Sequence, residues 1–296
     1  MTNKKEVIIQ VAQKYFNDHG VRYTSIDDIV KECKISKSTF YKYFLTKEDL
    51  VLEILDYLNK NFSNSSVLID TDDTKTPIEK LKEKIKLVLD YLKCNQSFNS
   101  HILGEFSEIK GIPILKIKSQ IKSNIINSYK TPLILVYGED INPFLWELIF
   151  VIDSIVHEFN LVMKINKRNI SVDYIFEFIN KQINLNIENL KQNKSTINKN
   201  IFYSIDEIGE SNYKDSIKDV FLNVLYSIKE CIKLDKNEKL SEAVVKIEKE
   251  FNLGNYNSLT MDAMIAYLEK QESIKEYTKK LNRLTSKLGD DIRSGE

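Results

Sequence analysis

The sequence predicts an all-α protein, and three observations support this prediction. Glycine and proline together account for only 12 of 296 residues, about a third of their average share of roughly 12%. Apolar residues recur at intervals of three and four, which is the spacing of one face of an α-helix. Serine or threonine precedes several of these runs with an acidic residue three positions later, which indicates a helix N-terminus.

Four short helices are predicted within the first sixty residues. The first extends to about Phe16 and is stopped by Gly20, because glycine suits the left-handed conformation that follows many helix ends. Each of the next three begins at a residue whose side chain can accept a hydrogen bond from the first helical turn. These capping residues are Thr24 or Ser25, then Ser36, then Thr46.

A polar stretch over 63–75 predicts a linker, and longer helices follow it. Thr76 and Pro77 open a helix that extends to about Leu92. Further helical runs are predicted over 98–109, from 114 with Pro132 and Gly138 ending or kinking it, and over 143–164, 171–190, 213–234, 240–251 and 259–288. In the last run Tyr277, Leu281, Leu284 and Leu288 resemble a coiled-coil seam. The predicted domains are 1–61, 76–195 and an additional helical extension over 196–296.

Charge, cysteine content and motifs exclude several functional classes. The chain has 43 basic and 43 acidic residues, so any charged partner has to meet a local patch. Its three cysteines form no C-x-x-C pair, which fits a reducing cytoplasm rather than a disulfide framework. No segment is apolar over the ~20 residues that span a bilayer. The sequence has no P-loop, G-x-S-x-G or H-E-x-x-H motif, so we expect neither enzyme activity nor a cofactor.

The local basic patch lies at the N-terminus, where nine basic residues up to Lys47 stand against five acidic ones. The second and third predicted helices, joined by Lys34 and Ile35, have the arrangement of a helix-turn-helix, whose second helix enters the major groove of DNA. Phe40 and Phe44 are four residues apart and are expected to face the core. Donors and aromatic rings that suit contacts with base edges are Lys37, Ser38, Thr39, Tyr41, Lys42 and Tyr43.

An ordered set of residues extends over 8–55. It comprises Ala12, Phe16 and Gly20, then Thr24-Ser25-x-x-Asp28-Ile29, then Ser36-Lys37-x-Thr39-Phe40-Tyr41-x-Tyr43-Phe44-x-x-Lys47-Glu48-x-Leu50. This set resembles the DNA-binding domain of the TetR/AcrR family of bacterial transcriptional regulators. The segment departs from the family at Ser38, where glycine is common, and at Cys33 and Lys34, which replace a small residue and a glycine at the turn.

The resemblance implies a homodimeric repressor that binds a palindromic double-stranded operator and is released by a small-molecule effector, whose identity is unknown. It implies groove contacts by the third-helix residues and phosphate contacts by Thr24, Ser25 and Lys47. It also implies a helical C-terminal domain that both dimerises and holds the effector. Candidates for the effector pocket are Phe98, His101, Phe106, Tyr129, Trp146 and Phe150, although helical spacing alone does not separate pocket from core.

Three further expectations concern the C-terminal part. The apolar runs over 143–164 and 171–190 are expected to form the dimer face. The i, i+4 pairs His101 with Glu105 and Asp153 with His157 suit metal binding or an ion pair, and the ion pair is the commoner arrangement, so no metal site is predicted. The family's usual chain is shorter than this one, so the resemblance does not account for the helices after Ser195. An alternative is therefore a DNA-binding protein whose C-terminal helices bind a protein partner instead of a small molecule.

Overall fold

The computed structural model describes residues 4–95, 98, 114–193, 197, 203–233 and 238–293, and every regular element in these residues is a helix. The all-α prediction is therefore confirmed. The chain divides into two compact units. The first unit contains Met1–Phe62 and Lys75–Gly209, and the second contains Ser63–Thr74 and Glu210–Glu296. None of the described helices is both long enough and apolar enough to cross a bilayer.

Residues 4–62 of the first unit, which we call the head, form a small helical bundle. Its elements are α1 Lys4–His19, α2 Ile26–Glu32, α3 Lys37–Tyr41 and the first part of α4 Lys47–Asp70. Apolar side chains from all four helices meet in one core, as Phe16, Ile29 and Leu50 illustrate. α3 ends at Tyr41, three residues before Phe44, because the backbone tightens into a turn in which the Tyr43 N–H donates to the Phe40 carbonyl.

The described residues of 75–209, which we call the sensor bundle, form the rest of the first unit. Its main helices are α5 Pro77–Cys94, α6 Ile114–Asn127, α7 Lys130–Tyr137, α8 Leu145–Asn166 and α9 Val172–Gln192. Thr76 caps α5 in a capping box with Glu79, and Ser171 caps α9, as predicted. Apart from Phe98, the predicted helix over 98–109 lies outside the described residues.

The run that follows Ile114 breaks at a different place from the one predicted. The break falls at Ser128 and Tyr129, before Pro132, because a proline in the first turn of α7 forfeits no intrahelical hydrogen bond. Gly138 ends α7 with a φ of +85°. The predicted helix start at Asn142 and Pro143 is wrong, since a 3₁₀ helix occupies Glu139–Phe144 and α8 begins at Leu145.

The predicted linker over 63–75 is also wrong over most of its length. α4 continues to Asp70 because its last turns have partners in the second unit, to which they belong. Val67 is fully buried in the core of that unit, and the Tyr213 hydroxyl donates to Asp70 Oδ2 over 2.8 Å. The Arg283 guanidinium donates to the carbonyl of Thr71 over 2.7 Å.

The second unit packs the end of α4 with α10 Tyr203–Ile232, α11 Glu238–Asn252, α12 Leu259–Glu269 and α13 Lys275–Arg293. The rings of Phe221 and Phe251 stack with centroids 4.4 Å apart. The single predicted run over 259–288 is interrupted by a 3₁₀ helix, Glu272–Ile274. Leu281, Leu284 and Leu288 are buried in this unit's own core, so the apparent coiled-coil seam is an internal packing face.

Candidate nucleic-acid interface

Hydrogen bonds local in sequence fix the turn between α2 and α3. The Lys34 N–H donates to the Lys31 carbonyl and the Ile35 N–H to the Val30 carbonyl, which is the Schellman pattern of a helix C-terminus. Lys34 takes the left-handed position of this motif with a φ of +53°. The turn therefore forms without the glycine that the family commonly carries, at a cost in backbone strain.

Two capping residues set where α2 and α3 begin. Ser25 Oγ accepts from the Asp28 N–H, and the Ser25 N–H donates to the Asp28 carboxylate. The hydrogen bonds from Ser25 lower the pKa of Asp28. Ser36 Oγ accepts from the Thr39 N–H over 3.1 Å and so caps α3. These serines confirm the predicted starts of both helices.

Phe40 and Phe44 anchor α3 to the head, as predicted. Both side chains are buried, and their ring centroids lie 5.6 Å apart in the core that α1 and α4 complete. Burying a phenylalanine side chain contributes ~1.5–3 kcal/mol. With one face of α3 committed to the core, the opposite face points to solvent.

The exposed face of α3, together with the turn that follows it at Lys42 and Tyr43, carries most of the side chains predicted to contact DNA. Tyr41 is 47% exposed, Tyr43 is 40% exposed, and Thr39 is half-buried. The remaining predicted contact residues with exposed side chains are Ser25, Lys37, Ser38 and Lys42. The face thus combines two phenol rings with ammonium and hydroxyl donors, the groups that read base edges and phosphates.

Lys37 is joined to α2 by an exposed ion pair. Its Nζ lies 2.7 Å from Asp27 Oδ1, and this hydrogen bond raises the pKa of Lys37. Solvent screens exposed pairs of this kind, so they hold their side chains only weakly. A phosphate or guanine can therefore replace Asp27 as the partner of Lys37 at little cost.

Thr24 and Lys47, two predicted phosphate contacts, make hydrogen bonds within the head. Thr24 is only 2% exposed, and its hydroxyl donates to the Gly20 carbonyl over 2.8 Å. Lys47 Nζ donates to the carbonyls of Val21 and Thr24 over 2.8 and 3.2 Å. In this structure the Thr24 hydroxyl satisfies a buried carbonyl, and the phosphate contacts of Thr24 and Lys47 stay predictions.

The sequence analysis missed exposed residues in and near the connection between α1 and α2, residues 20–25, whose carbonyls accept from Lys47. Tyr23 and Leu45 are each 79% exposed, and Arg22 is exposed on the segment whose carbonyls Lys47 holds. Large side chains exposed on connections of the head have no packing role there. An aromatic residue just before a helix cap, outside any apolar periodicity, is the signal that identifies Tyr23.

The four predicted effector-pocket residues that the structure describes do not come together in one place. Phe98 is fully buried and stacks on Phe16 of α1, with centroids 6.2 Å apart, so it joins the sensor bundle to the head. Phe150 is 51% exposed on the outer face of α8. Tyr129 is fully buried, and Trp146 lines a cavity of about 620 Å³. His101 and Phe106 lie outside the described residues.

Asp153 is buried between α6 and α8 and is the centre of a polar cluster whose other two side chains are partly exposed. It pairs with the Lys122 ammonium, and its Oδ1 lies 3.6 Å from His157 Nε2. Burial lowers the pKa of His157, while burial and the nearby charge of Asp153 raise the pKa of Tyr129 well above its ordinary value. Asp153 thus forms an ion pair with Lys122, and the imidazole of His157, whose lowered pKa favours its neutral form, lies beside this pair. Among the described residues, no group of three or more histidine, cysteine, aspartate or glutamate side chains could hold a metal ion.

Comparison with known proteins identifies the head. Residues 8–54 match the family described as bacterial regulatory proteins, tetR family. The HTH-type transcriptional regulator YerO of Bacillus subtilis is 28% identical over 257 residues, which cover 84% of each chain. YuxN, another HTH-type transcriptional regulator of that organism, is 30% identical over 52% of this chain and 53% of its own length. The crystal structure of a transcriptional regulator from Aquifex aeolicus is 22% identical, with a TM-score of 0.44, and the match covers 62% of this chain and 99% of that chain.

The match to YerO also bears on the C-terminal helices. Because it covers 84% of 296 residues, the match extends past residue 196 wherever it begins. The extension is therefore shared, at least in part, with another regulator. Both relatives are HTH-type transcriptional regulators.

Proposed function

We propose that this chain, a member of the TetR/AcrR family of transcriptional regulators, is a cytoplasmic homodimeric repressor that leaves a palindromic operator when its sensor bundle binds a small molecule. DNA binding follows from the family. What we propose beyond DNA binding is that the operator is palindromic, that binding represses transcription, and that a small molecule releases the protein. The observation that carries it is the exposed polar and aromatic face of α3, held in place by buried Phe40 and Phe44.

On DNA, α3 enters the major groove and presents its outer face to base edges. Lys37, Ser38 and Lys42 supply hydrogen-bond donors, and the phenols of Tyr41 and Tyr43 add donors together with apolar contact to thymine methyl groups. Ser25, at the N-terminus of α2, lies near the phosphate backbone in this arrangement. Lys47 holds the 21–24 loop and so orients Arg22 and Tyr23 beside the same strand.

Dimerisation is supported by an uncovered apolar stripe on α8 and α9. The two helices pack on each other through Phe159, whose ring meets Tyr174 and Phe178 edge-on at 6.3 and 5.7 Å. Exposed large apolar residues on these helices are Phe150, Leu161, Ile165, Tyr174, Phe178 and Leu185. A second copy applied to this face about a twofold axis covers the stripe and gives two α3 helices the symmetry of a palindrome.

Release by an effector is supported by the junction between α5 and α1. Gln13 Nε2 donates to Asn95 Oδ1 over 3.0 Å, and Asn17 Nδ2 donates to the Cys94 carbonyl over 3.2 Å. Asn17 Oδ1 also accepts from the Phe98 N–H over 3.0 Å. A ligand that shifts the end of α5 therefore shifts α1, and with it the angle at which α3 meets DNA.

The test is selection of DNA by the full chain from a pool of random duplexes. The proposal predicts enrichment of an inverted repeat whose half-sites are separated by one helical turn or a multiple of it, ~34–36 Å per turn. A promoter that carries the selected repeat should be transcribed less in vitro when the protein is added. Enrichment of a single asymmetric site, or stimulated transcription, would contradict the homodimer or the repressor, respectively.

A further inference from the structure

Three buried oxygen atoms of the sensor bundle have no hydrogen-bond partner in the part of the chain that the structure describes. They are Ser123 Oγ on α6, the Tyr129 hydroxyl just before α7 and Asp153 Oδ1 on α8. Folded proteins satisfy the large majority of their buried polar atoms, so each exception calls for an explanation. A ligand that supplies the missing hydrogen bonds is one such explanation, and it requires the atoms to lie near one another.

Two observations place these atoms around the same carboxylate. Ser123 directly follows Lys122, whose ammonium pairs with Asp153. Burial and, after it, the charge of Asp153 raise the pKa of Tyr129, and a charge acts on a buried phenol in this way only when the two groups are close. The side chains of Lys122 and His157 are partly exposed, so the cluster also reaches solvent on one side.

The hydrogen bonds of the cluster leave one oxygen of Asp153 as an acceptor. The Lys122 ammonium donates to Asp153 Oδ2 and, over 3.5 Å, to His157 Nε2. Burial lowers the pKa of His157, and the neutral imidazole accepts at Nε2. This nitrogen therefore has no proton to donate to Asp153 Oδ1, which lies 3.6 Å away. The charge of the carboxylate is balanced by Lys122, whereas the hydrogen-bonding capacity of Oδ1 is not used.

The surroundings of this oxygen are apolar. Ile152 and Val156 lie on α8 within one turn of Asp153 and are fully buried, as is Leu133, one turn after Tyr129. A few polar groups set in an apolar interior are the usual composition of a small-molecule site. In such a site the polar groups fix the orientation of the ligand, and removal of its apolar surface from water favours binding.

We propose that the interior of the sensor bundle beside Asp153 is the effector site and that its ligand is an uncharged, hydroxyl-bearing molecule with an apolar body. The hydroxyl of the ligand donates to Asp153 Oδ1 and accepts from the hydroxyl of Tyr129, which satisfies both atoms. An anion would be repelled by Asp153, and a cation would add a charge to a carboxylate that Lys122 already neutralises. This inference deepens the proposed function and rests on it for its regulatory consequence.

The test is titration of the full chain with four probes, followed by saturation-transfer NMR. The probes are benzyl alcohol, its apolar isostere ethylbenzene, the cation benzylamine and the anion benzoate. We expect the dissociation constant of benzyl alcohol to be at least about tenfold lower than those of the other three, because only its hydroxyl makes both hydrogen bonds without adding a charge. In a chain labelled with ¹³C-tyrosine, benzyl alcohol should also shift the resonance of Tyr129.

Two variants make the test specific. Tyr129→Phe removes one of the two hydrogen-bonding partners, so benzyl alcohol should bind about tenfold more weakly while ethylbenzene is unaffected. The same variant identifies the Tyr129 resonance by its loss. Tyr137→Phe is the matched control, because that hydroxyl donates to Asn180 Oδ1 within the bundle, and it should change neither dissociation constant.

Several results would overturn the assignment. They are equal binding of benzyl alcohol and ethylbenzene, undiminished binding of the alcohol in Tyr129→Phe, tighter binding of a charged probe, and no binding of any probe at millimolar concentration. A lower Tm in Tyr129→Phe without any effect on the probes would assign these oxygens to an ordered water alone and would also overturn it.

The same mixtures, run with the selected operator, distinguish failure of this inference from failure of the proposed function. If benzyl alcohol binds through Tyr129 but leaves the operator complex intact, the site stands and release by this ligand fails. If another compound releases the operator equally from the unaltered chain and from Tyr129→Phe, without shifting the Tyr129 resonance, release by a small molecule stands and this is not its site.

Discussion

Lys34 adopts a backbone conformation that suits glycine, and it does so at the turn on which the orientation of α3 depends. A left-handed conformation costs a residue with a Cβ roughly 1–2 kcal/mol. The Schellman hydrogen bonds and the burial of neighbouring core residues compensate for this cost. The sequence identified the departure from glycine, and the structure shows how the turn forms in spite of it.

We therefore predict that Lys34→Gly stabilises the protein by about 0.5–1 kcal/mol, since strain is relieved while unfolded-chain entropy increases somewhat. Thermal unfolding followed by circular dichroism should show a rise in Tm of a few degrees. The control is Lys31→Gly, an exposed site inside α2, which should destabilise by about 1 kcal/mol. A lower Tm for Lys34→Gly would mean that the lysine side chain stabilises the turn by contacts that outweigh the strain.

Tyr129 presents the opposite case, a buried hydroxyl that has no hydrogen-bond partner among the described residues. An unsatisfied buried polar group costs ~1–3 kcal/mol. Tyr129→Phe should therefore raise Tm. Tyr137→Phe is the matched control and should lower it, because that hydroxyl donates to Asn180 Oδ1 over 2.8 Å. A lower Tm in Tyr129→Phe would show that the hydroxyl has a bound partner, such as an ordered water.

At the scale of the element, the start of a helix was the most predictable feature of the chain. Ser25, Ser36, Thr76 and Ser171 all cap the helices they were expected to cap, because a cap depends on residues within four positions. Helix ends and continuations were less predictable. α4 extends through a polar sequence because Val67 is buried by residues more than 140 positions away, including Ile217 and Phe221.

In the candidate site, too, features set by residues close in sequence were predictable and features set by distant residues were not. Its outward face on α3 was predictable, since burial of Phe40 and Phe44 determines which side of a short helix is exposed. The roles of Thr24 and Lys47 were not, because they depend on where the carbonyls of Gly20 and Val21 lie in three dimensions. The aromatic pocket candidates were dispersed for the same reason, since helical spacing does not distinguish inner faces from outer ones.

The stripe on α8 and α9 leads to a prediction about association. Ile165→Glu combined with Leu185→Glu places like charges on both copies at the proposed dimer face. The dimer dissociation constant should rise on the order of 100-fold, because buried unpaired charges are strongly unfavourable at an interface. Analytical ultracentrifugation measures this dissociation constant. The control is Val245→Glu, which places the same charge at an exposed site on α11. An unchanged dimer in the double variant would place the interface elsewhere.

At the scale of the whole molecule, the second unit includes the end of α4 as well as the C-terminal helices. Its core is closed by Val67, and Arg283 holds the turn after α4 through the Thr71 carbonyl and the Asp73 carboxylate, the latter over 2.5 Å. These contacts connect the C-terminal helices to the helix that begins in the head. They distinguish the extension from an appendage joined only by a linker.

Truncation after Ile197 should therefore lower Tm and fray α4 beyond Phe62, since Val67 loses its cover and exposing one such side chain costs ~1.5–3 kcal/mol. Hydrogen exchange of the α4 amides provides the local measurement. The variant Val67→Ser distinguishes loss of the packing around Val67 from the mere shortening of the chain. It should destabilise the full chain but have little effect in the truncated one, where the valine is already exposed. Equal protection of α4 in the full and truncated chains would show that the extension is independent.

The central claim is that α3 reads DNA sequence through its exposed face, and the affinity ratio between a selected operator and unrelated duplex tests it most directly. Both affinities should fall steeply with salt, because phosphate contacts release counterions. Tyr41→Ala should reduce the operator affinity by ~1–3 kcal/mol and shrink the ratio, whereas the control Tyr226→Ala, an exposed tyrosine on α10, should change neither. An undiminished ratio in Tyr41→Ala and in the corresponding Lys37→Ala and Lys42→Ala variants would contradict the account.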